Sequence, residues 1–124
     1  YQGGLPKEGF KAYKKVLKMN PDYNPVLNNY AYFLSLEGKK LSKAAKMSLK
    51  TIQTEPDNAT YLDTYGWILH LQGKDAEAKP YFKHAMTHGG KDNATILEHY
   101  ADVLDALGET SLARAYRSSA QLKK

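Results

Sequence analysis

Apolar and small residues fall at i, i+3, i+4 and i+7 three times along this chain: Leu27, Tyr30, Ala31 and Leu34; Leu62, Tyr65, Gly66 and Leu69; Leu97, Tyr100, Ala101 and Leu104. That spacing covers one face of a 3.6-residue helix. Each member lies 35 residues from its counterpart, and Gly38, Gly73 and Gly108 follow the stripes at the same offset as turn signals. Second helices are predicted after the glycines at about 42–54, 75–87 and 111–122. Their buried faces would be Ala44, Ile52, Ala78, Phe82, Ala85, Ala113 and Ala120, with lysines outside. A fixed period of helix, glycine turn and helix predicts an all-α stacked array, because one hairpin cannot bury its apolar face without a neighbour.

Boundary residues support this division. Asn58 and Asn93 stand just before apolar stripes as N-cap candidates, and Asn24-Pro25 offers a cap with proline early in the helix. Pro56 ends one outer helix, and Gly89-Gly90 ends the next as a flexible stop. Pro80 falls inside a predicted helix, where a first-turn placement or a slight kink is expected. Gly3-Gly4 to Pro21 reads as a glycine turn plus a second helix over Lys7–Met19, with Phe10, Tyr13, Val16 and Leu17 inward. The expected organisation is one domain: a half repeat at 1–23, then repeats at 24–58, 59–93 and 94–124. It is expected to be a segment of a longer array.

Charge sharpens the picture. The formal charge is +5, but residues 1–58 hold ten lysines against five acids, whereas 59–124 hold eight Lys/Arg against eight acids. The predicted first helices, 24–36, 59–72 and 94–107, contain no Lys or Arg. With no cysteine there is no disulfide, thiolate nucleophile or zinc–thiolate site. No apolar run approaches the roughly 20 residues that a membrane-spanning helix needs, so membrane insertion is not expected. The compartment is not readable from the sequence.

The Leu-x-x-Tyr-Gly/Ala-x-x-Leu first helices, the glycine turns, the Ala78-to-Phe82 run with Ala85, and Pro21 and Pro56 together resemble the tetratricopeptide repeat. The resemblance covers nearly the whole chain, with a period of 35 in place of the usual 34, Ser48 and Arg117 where an aromatic residue is expected, and Gly90 in place of a terminal proline. It implies a right-handed superhelical α-solenoid whose first helices line a concave groove. On that register the groove carries Asn28, Tyr32 and Ser35; Asp63, Trp67 and His70; Glu98, Asp102 and Asp105. Tyr32 and Trp67 would form an aromatic platform grading into the carboxylates, which favours a cationic and apolar segment of a protein or peptide partner. The family's carboxylate-clamp subgroup grips acidic C-termini with basic groove residues, which are absent here.

Plainer readings stand beside these. Trp67 can serve inter-repeat packing, and the carboxylates of the third first-helix can be a solvated face. His84 and His88 are spaced i, i+4, a chelating interval, but the sequence offers no third ligand and no metal or other cofactor is assigned. His99 is placed at an inter-repeat seam, and His70 is a pH-responsive groove residue. Asn58-Ala-Thr and Asn93-Ala-Thr match the glycosylation acceptor pattern, which capping explains without a sugar. No nucleophile elbow, phosphate loop or metalloprotease motif occurs, so an enzyme is not expected. Two alternatives to a groove-binding scaffold remain. One is nucleic-acid binding by the basic stripe Lys39, Lys40, Lys43, Lys46 and Lys50, ranked low because the inner wall is acidic. The other is self-association through array ends, using Tyr1, Phe10 and Tyr13 at one end and Tyr116 and Leu122 at the other.

Overall fold

The computed structural model describes residues 7–124, and its regular structure is helical throughout. In order these are α1 (Lys7–Met19), α2 (Asn24–Leu36), α3 (Leu41–Thr54), α4 (Ala59–Leu71), α5 (Asp75–Met86), a 3-10 turn at Gly90–Asp92, α6 (Ala94–Ala106) and α7 (Thr110–Leu122). Among the described residues no helix is long and apolar enough to cross a membrane. The expectations placed on Tyr1, Gly3 and Gly4 lie outside the described residues.

Helices α2 and α3, α4 and α5, and α6 and α7 pair as hairpins, while α3 packs on α4 and α5 on α6. Helix α2 also touches α4, and α4 touches α6. First helices one period apart are therefore spatial neighbours, which makes the chain an all-α solenoid with a shared inner wall. The stripes explain why: all their members are buried except the half-buried Tyr65, which meets Tyr81 edge-on at 4.9 Å. All seven outer-helix residues expected inside are buried as well.

Gly66 shows what the small position does. A Cβ there would stand 2.7 Å from the Phe82 ring, so glycine lets α5 seat a fully buried phenylalanine against α4. Phe82 in turn stacks on Tyr100 of the next repeat at 5.6 Å and 7°. Burial pushes the Tyr100 hydroxyl up to about 12.

The 35-residue period arises in two different ways. Ala44 to Ala78 is 34 residues, whereas Ala78 to Ala113 is 35. The first repeat carries its extra residue in the inter-helix turn, where Lys40 takes a left-handed φ of 53°. The second carries it after α5, in the turn containing Gly90. The chain ends of α4 and α6 close with paired bonds of the Schellman type, Lys74 N–H to Leu69 C=O and Glu109 N–H to Leu104 C=O, both 2.8 Å. The Gly38 turn keeps only the Gly38 N–H to Ser35 C=O bond of 3.0 Å.

Two local expectations, for Asn24 and Val16, are corrected, and the one for Pro80 is narrowed. Asn24 does not cap α2, since the N-cap is Tyr23; its amide instead donates to Thr54 Oγ1 at 2.8 Å and Glu55 Oε2 at 2.6 Å, joining α2 to the end of α3. Pro80 is not in the first turn but sixth in α5; the bond it cannot donate would go to Ala76, and both residues are exposed, so water can serve that carbonyl. Val16 is 36% exposed. Helix α1 packs principally on α2, and among its described side chains Phe10, Tyr13 and Leu17 are partly covered. Phe10 lies 5.4 Å from Tyr30, and Tyr13 stacks on Phe33 at 6.3 Å. By contrast, Asn58 and Asn93 cap as expected, each accepting a 3.1 Å bond from the N–H of Tyr61 and Ile96 respectively.

Candidate functional site

The inner wall is built from the residues of α2, α4 and α6 that lie one helical face away from the core stripe. Asn28, Tyr32 and Asp63 meet there in a cleft of about 270 Å³, completed by Asn29, Thr60, Thr64, Asn93, Thr95 and Ile96. Three successive repeats thus contribute to one depression. Most of its lining residues are Asn or Thr, which present methyl and methylene surface beside their amides and hydroxyls, with one aromatic ring and one carboxylate. Asn28 is 7% exposed, and its Oδ1 is buried without a hydrogen-bond partner. Burial raises the Tyr32 hydroxyl above its ordinary value, and the nearby Asp63 carboxylate adds to that.

The other inner-wall residues have separate settings. Ser35 is 3% exposed and donates its hydroxyl to the Tyr32 carbonyl. Trp67 stacks on His99 of the next repeat, with ring centroids 4.0 Å apart and planes at 19°. His99 Nδ1 is in turn held 2.8 Å from Asp63 Oδ1, so Asp63, Trp67 and His99 form a clasp between α4 and α6. His70 pairs through Nδ1 with Asp75 at the start of α5.

The carboxylates farther along are paired too. Arg117 of α7 reaches Asp102 at 2.7 Å and also bonds Asp105, and these hydrogen bonds raise its pKa. Lys124 Nζ lies 3.1 Å from Glu98 Oε2. The first helices carry no Lys or Arg of their own, yet α7 and the residues after it bring cations to their face. Arg117 is the residue that replaces an aromatic side chain in the repeat pattern, and its guanidinium serves Asp102 and Asp105 of α6. These pairs are partly exposed, a class of contact that contributes about 0–1 kcal/mol each, so an incoming cation can compete for them.

Of the nine residues expected on the groove, the cleft gathers Asn28, Tyr32 and Asp63. Sequence reasoning missed Asn29, Thr60, Thr64 and Thr95. The signal was present: Asn29 and Thr64, and likewise Thr60 and Thr95, are 35 residues apart.

On the outer surface, the turn before α4 brings Asp57 to His84 and His88. The Asp57 Oδ1 atom is 2.7 Å from His84 Nε2 and 3.5 Å from His88 Nε2. The fold thus brings a carboxylate beside the two histidines.

Comparison with known proteins gives a family profile described as Tetratricopeptide repeat, matching residues 1–123. Among solved structures, PilF of Pseudomonas aeruginosa superposes with a TM-score of 0.78 at 26% identity, covering 96% of this chain and 54% of that one. MamA MSR-1, in the form designated C2, superposes with a TM-score of 0.71 at 18% identity, covering 94% of this chain and 66% of that one. The chain therefore spans between half and two thirds of the length of these structures. No curated protein matches the sequence.

Proposed function

Since this chain belongs to the tetratricopeptide-repeat family, whose members are generally protein-binding scaffolds and not enzymes, we propose that its inner cleft holds an extended segment of a protein partner. The observation that carries this reading is the convergence of Asn28, Tyr32 and Asp63 from two repeats, closed by Thr95 and Ile96 from a third. Amide and hydroxyl groups suit the alternating donors and acceptors of an extended backbone. Tyr32 supplies an apolar face. Asp63 meets an imidazole, with no Lys or Arg on it, which favours a basic side chain in the segment.

Selection of a random peptide library on the 124-residue chain tests this. Recovered peptides should combine Lys or Arg with apolar residues, and should lose binding to the Tyr32→Ala and Asp63→Asn variants. Asp63→Asn is preferred to charge reversal because the site is 7% exposed and a buried lysine would disturb the clasp. Equal binding to both variants would remove the cleft as the site.

A second reading rests on the opposite surface. Lys14, Lys18, Lys43, Lys46 and Lys50 ring a groove of about 390 Å³ between α1 and α3, floored by Leu17 and Met47. This arrangement favours an anionic partner such as nucleic acid. Binding there would weaken steeply with salt, whereas peptide binding in the cleft would respond only modestly.

A further inference from the structure

We propose that Asp57, His84 and His88 form a binding site for a divalent transition-metal ion, with Zn²⁺ the ion that best suits their donors. His84 lies in the last turn of α5 and His88 four residues on, with ring centroids 4.5 Å apart. Asp57 comes from the turn between α3 and α4, and one donor atom from each of the three lies within 4.8 Å of the others. A tetrahedral ion with bonds of about 2.0–2.1 Å spaces its ligand atoms about 3.3 Å apart. The observed separations of 2.7 and 3.5 Å bracket that value. All three side chains are exposed, so small rotations complete the geometry without moving the backbone.

The donor set defines the ion class. Two imidazole nitrogens and one carboxylate match Zn²⁺ and its transition-metal neighbours, whereas Mg²⁺ and Ca²⁺ demand oxygen ligands. A fourth position is left for water. Because His84 lies in the last turn of α5, the negative end of the helix dipole favours a cation in addition. Bound there, the ion would tie the turn that joins the first full repeat to the second onto the far end of the outer helix of the second. It would fix the angle at that seam and stabilise the fold by mass action.

Titration of the 124-residue chain with ZnCl2, read by calorimetry, tests the proposal. One Zn²⁺ should bind per chain and raise the melting temperature, and MgCl2 should do neither. His84→Ala and His88→Ala should each weaken binding by about tenfold or more, and Asp57→Asn should weaken it less. Because these variants change exposed side chains, circular dichroism should show unchanged helicity. The wild-type chain gives an independent reading: substoichiometric Cu²⁺ should broaden the imidazole proton resonances of His84 and His88 and leave those of His70 and His99 sharp. No binding at millimolar Zn²⁺, undiminished binding by the His84→Ala/His88→Ala chain, or broadening confined to His70 or His99 would each overturn the site.

Discussion

The repeat at 24–58 and the repeat at 59–93 share a stripe and a hairpin but differ in packing, above all at one pair of positions. At the outer-helix position facing the small residue, the second repeat has Phe82 and the first has Ser48. Phe82 is fully buried, fills the space over Gly66 and stacks on Tyr100. Ser48 is equally buried, but its hydroxyl has no hydrogen-bond partner. The first repeat also turns through the left-handed Lys40, where the second closes with a bonded Schellman turn. The cluster around Phe82 extends from Ile52 of α3 through α4, α5, α6 and α7, while that around Tyr30, Ala31, Leu34 and Ala44 is small and is completed by Ile68 from the next repeat. A helical array can thus hold one architecture with unequal packing. The better-packed repeats support the clasp of the inner wall, and the less tightly packed one lies under the lysine-rich surface.

The largest effect expected from this contrast is at Phe82. Phe82→Ala should cost about 3–5 kcal/mol in urea unfolding, because it empties the junction of three helices. A loss below that of an ordinary surface substitution would mean that the two repeats are packed alike. Next is Gly66→Ala. Helix propensity alone would stabilise by up to about 1 kcal/mol, but displacing the Phe82 ring should cost more, about 1–3 kcal/mol. The sign decides the matter, and Phe82→Leu in the same chain should recover part of the loss.

On the weaker side of the comparison, substitutions should stabilise. Lys40→Gly relieves a left-handed side-chain position and should gain about 1 kcal/mol. The same change at an exposed helical lysine should lose stability. Smallest is Ser48→Ala, which removes a buried unpaired hydroxyl and should gain up to about 1 kcal/mol, read as a higher urea midpoint at unchanged slope. If Ser48→Ala destabilises, the hydroxyl is satisfied and the two outer helices are more alike than described.

The fold was legible because it rests on apolar spacing, which the period displays directly. Helix α1 was placed at its bounds, and the seven outer-helix residues were all located. What escaped depends on where side chains reach. Asn24 looked like a cap, yet its amide bonds Thr54 and Glu55 across the hairpin, partners 30 and 31 residues away. The inner acids looked unopposed because their cations, Arg117 and Lys124, come from α7 and the residues after it. Asp57 joined His84 and His88 only through the stacking of a turn on a helix end. The misplaced Val16 has a simpler cause: α1 has one main neighbour, so a narrower stripe is buried than in helices covered on two sides.

The central claim is that the partner lies in the inner cleft and not on the lysine-rich outer surface. Photo-crosslinking tests it most directly, with a benzophenone side chain introduced either at Tyr32 or at Lys46 and a library-selected peptide added to each. The account predicts a covalent adduct from position 32 and none from position 46. An adduct from position 46 with none from position 32 would contradict it.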